Sequence, residues 1–233
     1  MARRRKLSKQ MTKSRSLITN TNPRSPISEQ YRTIRTNLQF SAVDTELQTM
    51  LFTSSGAGEG KSTTVANVAV VYAQQGKRVL LIDADLRKPT VHYSFRVDNV
   101  KGLSNLLVDN IPFLEVVHET NVENLHVVTC GPIPPNPSEL LASNKMERMI
   151  EELKQVYDVI LIDSPPVLAV TDAQILSALV DGVVLVVRSK QTEIEAAQKA
   201  IDLLRSSNAK ILGAILNGQD KKHANNYYYY YGQ

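Results

Sequence analysis

A glycine-rich run, SGAGEGKST from Ser55 to Thr63, ends in a lysine followed by hydroxyl residues and comes after a short apolar segment. Its glycines let the backbone curl so that several N–H groups can point at one anion. Lys61 could reach the β- and γ-phosphates of a nucleotide, and the Ser62 hydroxyl could reach Mg²⁺. A helix beginning after this loop would turn its positive end to the same phosphates. The run predicts an ATP site formed by Ser55, Gly56, Ala57, Gly58, Glu59, Gly60, Lys61, Ser62 and Thr63.

The glycine pattern departs from the common phosphate loop at one position. The spacing GxxxxGK[ST] would place a glycine at position 55, where this chain has Ser55. A glycine turn between a strand and a helix would explain the glycines alone. It would not explain Lys61 and Ser62 behind them, so nucleotide binding is the favoured interpretation.

Three carboxylates follow apolar segments elsewhere in the chain. Asp83 closes the segment VLLID, Asp85 lies two residues further on, and Asp163 closes the segment VILID before Ser-Pro-Pro. An apolar strand that ends in aspartate is how phosphate-loop enzymes hold Mg²⁺, usually through a bound water. One such aspartate alone is more often a turn-former or a helix cap. Three of them beside one phosphate loop predict a magnesium site formed by Ser62, Asp85 and Asp163.

The segments that must position these residues alternate between strand and helix patterns. Continuously apolar runs, typical of strands buried on both faces, occur at Thr49–Thr53, Arg78–Asp83, Asp158–Asp163, Gly182–Val187 and Lys210–Leu216, and Leu125–Thr129 could add a sixth. Helical patterns lie between them, at Ser62–Gln75, Asn144–Val156, Asp172–Leu179 and Glu193–Ser206. The alternation predicts an α/β fold with a doubly wound, mostly parallel sheet flanked by helices. Ligands of such sheets bind at the carboxyl ends of the strands.

Charge and proline placement divide the chain into three parts. Residues 1–27 form a basic arm that is expected to be disordered, since lysines and arginines cluster there and the first acidic residue is Glu29. Ser28 is a fair N-cap for a helix over EQYRTIRTNLQF, so residues 28–218 are predicted to form the folded domain and residues 219–233 a flexible tail. The single cysteine, Cys130, cannot form an internal disulfide. No apolar run approaches the roughly 20 residues of a membrane span, so a cytoplasmic protein is predicted.

The motifs together resemble those of a known family. The segments GEGKS at residues 58–62, DADLRKP at 83–89 and IDSPP at 162–166 are similar to the Walker A, A′ and Walker B motifs of bacterial tyrosine kinases that regulate capsular and exopolysaccharide synthesis. ISEQYRTIRTNLQF, GPIPPNPSELL and LAVTDAQIL resemble the short cytoplasmic form from Gram-positive bacteria. The resemblance runs from about Ser28 to the C-terminus. It implies a phosphate-loop fold like that of MinD and ParA, and a kinase that uses ATP and Mg²⁺.

The predicted reaction moves the γ-phosphoryl group of ATP to a tyrosine hydroxyl. Lys61 would hold the phosphates, Asp83 would orient or deprotonate the phenol, and Asp85 would hold water on Mg²⁺, although the two aspartates could exchange roles. Arg87 could neutralise developing charge, or it could form a structural salt bridge. Asn217 resembles the position that recognises adenine in this fold, with a turn or cap role as the alternative.

Two further motifs gain meaning from the resemblance. Glu29, Arg32 and Arg35 form ExxRxxR at helical spacing, which in this family pairs with a neighbouring subunit to build a ring. The alternative is an ordinary, salt-bridged helix surface. Five of the nine tyrosines stand together at Tyr227, Tyr228, Tyr229, Tyr230 and Tyr231. In the family such a cluster is the autophosphorylation target, offered by one subunit to the next, whereas a sticky, aggregating tail is the alternative.

The resemblance also implies partners. These are a homo-oligomer, a transmembrane activator at the inner face of the membrane that recruits the kinase, protein tyrosine substrates and a cognate tyrosine phosphatase. No nucleic acid is expected, because no aromatic residues are interleaved with the charges of the arm. The rival interpretations are a MinD- or ParA-like positioning ATPase and an assembly regulator that transfers no phosphate. The positioning ATPases carry an extra lysine, as in KGGxGKT, where this chain has Gly56, and a positioning ATPase does not explain the tyrosine cluster.

Overall fold

The computed structural model describes residues 17–41, 47–109 and 111–219, and a single sheet forms its centre. The strands are β1 Thr49–Ser54, β2 Val79–Asp83, β3 Val117–Glu119, β4 Leu125–Val128, β5 Val159–Asp163, β6 Gly182–Arg188 and β7 Ile211–Asn217. They lie in the order β3-β4-β2-β5-β1-β6-β7, and all pairs are parallel except β3 with β4. The predicted α/β fold with a mostly parallel sheet is confirmed.

Helices cover both faces of this sheet. They are α1 Ile18–Thr21, α2 Pro26–Phe40, α3 Lys61–Ala73, α4 Val91–Phe95, α5 Leu103–Asp109, α6 Pro137–Leu141, α7 Asn144–Lys154, α8 Asp172–Ser177 and α9 Ile194–Ser206. One apolar cluster joins Leu17, which precedes α1, and helices α2–α4 to one face, and a second joins α5–α9 to the other. Strands β1, β2 and β5 are therefore buried along their whole length, which explains their continuously apolar sequences.

Strand register brings the predicted functional residues to one edge. Strand β1 lies between β5 and β6, and Phe52 pairs with Asp163 of β5. On the other side of β5, Asp83 of β2 is the register partner of Asp163. Because parallel strands end at the same edge, the loop after β1 and both strand-terminal carboxylates meet there.

The folded domain begins before the predicted boundary at residue 28. Leu17 is buried, and the Thr19 hydroxyl donates to Oδ1 of Asn67 on α3 at 2.8 Å. The side-chain amide of Gln74 donates to the carbonyl of Thr19 at 3.0 Å. Residues 17–27 therefore belong to the domain rather than to the arm, because apolar burial and these bonds fix α1 on α3. Residues 1–16 lie outside the described part of the chain.

The N-cap of α2 also differs from the prediction. Ser25, not Ser28, caps this helix, since the Ser25 side chain accepts the N–H of Ser28 at 3.1 Å and Pro26 occupies the first helical position. Ser28 lies inside the first turn, where its hydroxyl donates to the carbonyl of Asn22 at 2.7 Å. Ser28 thus ties the helix to the segment before it.

Candidate active site

The predicted phosphate loop joins β1 to α3 at the centre of the sheet. Gly58 and Gly60 have φ angles of 82° and 91°, in the left-handed region that favours glycine. A Cβ atom at position 60 would lie 2.0 Å from Nδ2 of Asn217, so a larger residue there would have to displace the Asn217 amide. Position 55 does not adopt a positive φ. Ser55 can therefore replace the glycine of the common pattern without backbone strain.

The ammonium group of Lys61, the first residue of α3, lies among oxygen atoms. Its Nζ donates to Oδ1 of Asp163 at 2.9 Å, to Oδ2 of Asp85 at 3.3 Å and to Oγ of Ser62 at 3.1 Å. Burial opposes the charge of Lys61, but the charges of Asp163 and Asp85 outweigh it, and the pKa of Lys61 is raised. Lys61 is therefore positively charged at neutral pH.

Asp83 is fully buried and holds backbone N–H groups rather than the lysine. Its Oδ2 accepts from the N–H groups of Thr90 at 3.0 Å and Val91 at 2.9 Å, and its Oδ1 faces the N–H of Asp85 at 3.3 Å. Burial, followed by the charge of Asp163, raises the pKa of Asp83 to about 7. A carboxyl group with such a pKa can take up or release a proton near neutral pH.

Asp163 completes a cluster of oxygen atoms that fits a magnesium ion. Its Oδ1 accepts the bond from Lys61, while its buried Oδ2 has no hydrogen-bond partner within the described residues. Burial raises the pKa of Asp163, although Lys61 opposes this. Mg²⁺ prefers oxygen ligands such as those of Ser62, Asp85 and Asp163, and it keeps several waters. Within the described ranges no three His, Cys, Asp or Glu side chains are grouped so that they could ligate one ion.

Arg188, the last residue of β6, and Thr192, which follows the strand, both contact the loop, and neither is among the residues predicted from the sequence. Arg188 donates from Nη1 to the carbonyl of Gly58 at 2.8 Å. The Thr192 hydroxyl accepts the N–H of Arg188 at 2.8 Å and donates to Oε1 of Glu59. Their place in the fold could have revealed them, because Arg188 ends a strand at the edge where ligands of such sheets bind.

Asn217, at the end of β7, also contacts the loop. Its Nδ2 donates to the carbonyl of Glu59 at 2.9 Å, and its Oδ1 accepts the N–H of Gly218 at 2.8 Å. Both polar ends of the amide thus bond to backbone, which matches the structural alternative for this residue. Recognition of adenine by Asn217 stays a prediction.

Arg87 forms an ion pair away from the lysine. Its Nε and Nη2 donate to the two carboxylate oxygens of Asp172, each at 2.9 Å, and Nη2 also donates to the Ser138 hydroxyl at 3.0 Å. The carboxylate of Asp172 is fully buried at the start of α8. These contacts are those of the predicted structural salt bridge, and a role for Arg87 in charge neutralisation stays a prediction.

The ExxRxxR motif lies on α2 with its charges partly engaged inside the domain. Arg32 pairs with Glu29 and donates to the carbonyl of Pro23 at 2.8 Å. Arg35 donates to the carbonyl of Val71 on α3 at 3.1 Å. The pairing of Arg32 with Glu29 agrees with the alternative that the motif is an ordinary, salt-bridged helix surface. Ring assembly through this motif stays a prediction.

The remaining predicted residues fall into two groups. In the loop, Ala57 is exposed, and Thr63 lies in the first turn of α3, where its carbonyl accepts from the Asn67 amide at 2.9 Å. The tyrosines at 227–231 lie outside the described residues. Among the helices that are described, none has the length and apolar character to cross a membrane.

Comparison with known proteins identifies relatives that match nearly the whole chain. A family described as AAA domain matches residues 47–212. The tyrosine-protein kinase YwqD of Bacillus subtilis is 51% identical over 93% of this chain and 91% of its own length. The tyrosine-protein kinase CpsD of Streptococcus agalactiae is 40% identical over 81% of this chain and 82% of its own.

Solved structures show the same relationship in three dimensions. The chimerical protein CapA2B2 matches with a TM-score of 0.85 and 44% identity, over 88% of this chain and 90% of that chain. The kinase domain of the Escherichia coli tyrosine kinase ETK matches with a TM-score of 0.85 and 34% identity, over 88% of this chain and 81% of that chain. MinD of Pyrococcus horikoshii, solved with Mg-ADP, matches with a TM-score of 0.63 and 25% identity, over 75% of this chain and 72% of that chain. The predicted MinD-like phosphate-loop fold is confirmed.

Proposed function

The chain belongs to the family of bacterial tyrosine-protein kinases, and we propose that Mg-ATP is its phosphoryl donor and its own C-terminal tyrosines are among its acceptors. The prediction of a tyrosine kinase, rather than a positioning ATPase, is thereby confirmed. One observation carries the choice of site. Lys61 and Asp163, which lie 102 residues apart in sequence, meet at 2.9 Å behind the phosphate loop.

Lys61 and the loop N–H groups are the proposed ligands of the β- and γ-phosphates. The raised pKa of Lys61 keeps its ammonium charged at neutral pH, as electrostatic stabilisation of a phosphoryl group requires. The likeness to MinD supports a nucleotide at this site, since that protein was solved with Mg-ADP.

Ser62, Asp85 and Asp163 are the proposed holders of Mg²⁺. Support comes from the buried, unpartnered Oδ2 of Asp163 and from the crowding of three carboxylates around one ammonium. When bound, the metal would neutralise charge on the phosphates. Without such a cation, ionised Asp83, Asp85 and Asp163 would outnumber Lys61 in a buried space, which is electrostatically unfavourable.

Asp83 is the proposed acceptor of the tyrosine proton, with an exchange of roles with Asp85 as the alternative. A phenol with a pKa near 10 transfers its proton more readily to a base tuned toward neutrality. The pKa of Asp83, raised to about 7, meets this need. Because Oδ2 of Asp83 accepts two N–H groups, the proton would go to Oδ1, which has only the longer contact to the N–H of Asp85. Arg87 is engaged in its ion pair with Asp172, so it is not assigned a direct role in phosphoryl transfer here.

We also propose how this kinase assembles and which partners it has. Glu29, Arg32 and Arg35 would pair with a neighbouring subunit, so that the tail of one copy reaches the active site of the next. A transmembrane activator would recruit the kinase to the membrane, a phosphatase would reverse the modification, and the process regulated would be capsular or exopolysaccharide synthesis. The resemblance of the motifs to the short Gram-positive kinases supports this part of the proposal.

A mixing experiment tests both the acceptor and its use in trans. One variant carries phenylalanine at positions 227–231 with an intact active site, and the other carries Lys61→Met with an intact tail. With γ-labelled Mg-ATP, neither variant alone should incorporate label into its tail, whereas the mixture should label the Lys61→Met chain. Circular dichroism of Lys61→Met checks that it is folded, and a peptide of residues 219–233 serves as a second acceptor.

Two outcomes would count against the proposal. Full labelling of the phenylalanine variant alone would place the main acceptor outside the tail. Labelling of Lys61→Met in the absence of its partner would remove the phosphate loop from the reaction. A Lys77→Met variant, altered at an exposed lysine, is the matched control and should behave as the unaltered protein does.

A further inference from the structure

Three side chains outside the phosphate loop bind carbonyl groups within it. The bonds run from Ser54 Oγ to the carbonyl of Gly56 at 2.8 Å, from Arg188 Nη1 to that of Gly58 at 2.8 Å, and from Asn217 Nδ2 to that of Glu59 at 2.9 Å. These donors come from the ends of β1, β6 and β7. Three strands that are distant in sequence therefore hold one short loop.

Each held carbonyl sets the direction of the next N–H group. A trans peptide unit is planar, with its C=O and the following N–H pointing in opposite directions, and every described peptide bond is trans. Carbonyls drawn toward Arg188 and Asn217 therefore turn the N–H groups of Glu59 and Gly60 away from these side chains. Within the described part of the chain, the N–H groups of residues 56–60 donate to no protein acceptor. They are thus available as a nest for an anion.

The contact between Asn217 and the loop is close enough to constrain the sequence. A Cβ at position 60 would lie 2.0 Å from Nδ2 of Asn217, so glycine is favoured at position 60 by its φ of 91° and because any larger residue would displace the Asn217 amide from the loop. The amide oxygen of Asn217 is bonded to the N–H of Gly218. The amide of Asn217 thus bonds to backbone through both its oxygen and its nitrogen, and one N–H of that nitrogen is directed at the loop.

Arg188 is held in place from two sides. Its own N–H donates to the Thr192 hydroxyl at 2.8 Å, and Thr192 in turn donates to the Glu59 carboxylate. On the other side, Arg188 is the register partner of Asn217 at the end of β7, and a Cβ at the following residue, Gly218, would lie 3.4 Å from both Cγ and Nε of Arg188. An otherwise exposed arginine thus has a defined position against the loop.

We propose that Arg188 and Asn217 are positioning residues that hold the loop carbonyls of Gly58 and Glu59, so that the following N–H groups face the phosphates. This inference rests on the proposed nucleotide site. For Asn217, this inference assigns the side-chain amide a contact to the loop backbone instead of the predicted contact to adenine. Neither side chain touches the phosphates in this account, and both act through the backbone between them.

Nucleotide binding by single variants tests the inference. Dissociation constants for Mg-ATP and for the magnesium complex of purine riboside triphosphate, which lacks only the exocyclic amine, are measured by calorimetry. Asn217→Ala and Arg188→Met should each weaken both ligands by about 3- to 10-fold, the loss expected for one hydrogen bond, and should leave the ratio of the two constants unchanged. Arg188→Lys, which keeps a donor, should restore most of the affinity. Arg205→Met, in the last turn of α9, is the control and should bind as the unaltered protein does.

The outcomes separate this inference from the function on which it rests. If Asn217→Ala weakens ATP but not its analogue, Asn217 contacts the base and the inference is overturned for that residue. If Arg188→Met binds both nucleotides with unchanged affinity, the inference is overturned for Arg188. It is also overturned if the loss of affinity is accompanied by an equivalent loss of stability, seen as a lower urea midpoint of the ligand-free variant. An unaltered protein that binds neither ligand would refute the nucleotide site itself, and the inference with it.

Discussion

A variant that lacks the Lys61 charge shows how much this ammonium contributes to the stability of a fold with buried carboxylates. Lys61→Met keeps an unbranched stem of four atoms but deletes the ammonium that lies 2.9 Å from Asp163 and 3.3 Å from Asp85. The side chains of these two aspartates are 0% and 8% exposed, so water cannot replace the lost partner. Breaking a buried ion pair in this way costs about 3–5 kcal/mol, because a charge is left uncompensated. We expect the free energy of unfolding at pH 8 to fall by about that amount.

The loss should depend on pH, with a sign fixed by the pKa shifts. Burial raises the pKa of Asp163 even beside Lys61, and it raises that of Asp83 to about 7. Without the ammonium, these folded-state pKa values rise further. A carboxyl whose folded pKa exceeds its unfolded value favours folding when protonated, and this contribution is lost as pH rises through the folded pKa. The deficit of Lys61→Met should therefore be largest at pH 8 and fall to less than half at pH 5.

Urea denaturation followed by circular dichroism, without Mg²⁺, provides the assay at both pH values. Lys77→Met, at an exposed site, should match the unaltered protein at both. Equal stability of Lys61→Met and the unaltered protein at pH 8 would refute the reasoning. A deficit of the same size at pH 5 and pH 8 would refute the part that assigns it to ionised carboxylates.

Three further predictions concern the base, the assembly and the ion pair. Since the pKa of Asp83 is raised to about 7, initial rates of tyrosine phosphorylation should rise with pH through that value, and Asp83→Asn should flatten the profile; an unchanged shape would exclude Asp83 as base. Alanine at Glu29, Arg32 and Arg35 should give monomers by light scattering, and an unchanged large assembly would contradict the ring. Arg87→Met leaves a buried carboxylate unpaired and should lower the free energy of unfolding in urea by about 3 kcal/mol; no loss would show the pair to be dispensable.

The sheet and its catalytic edge were largely predictable from local pattern. Strands buried on both faces must be continuously apolar, so β2 and β5 were found within one residue of their observed starts, with Asp83 and Asp163 at their ends. Parallel connection then required those ends to share an edge. Strand β3, with only three residues and partial burial, has no comparable pattern, and the sequence did not reveal it.

The contacts that the sequence could not supply are those between distant segments. Thr19 meets Asn67 across 48 residues, and only Leu17 and Ile18 are apolar in a segment that is otherwise basic and polar, so the local pattern is too short to indicate that α1 is folded. Arg188 meets Gly58 across 130 residues through one side-chain bond to a carbonyl. A carbonyl is present at every residue, so no residue type in the loop signals such a partner.

The most direct test of the central claim is mass spectrometry of the purified protein after incubation with Mg-ATP, with tryptic peptides mapped. The unaltered chain should gain several phosphoryl groups on tyrosine, within residues 219–233, and Lys61→Met should gain none. An unaltered chain without phosphotyrosine, or a Lys61→Met chain modified to the same extent, would contradict it.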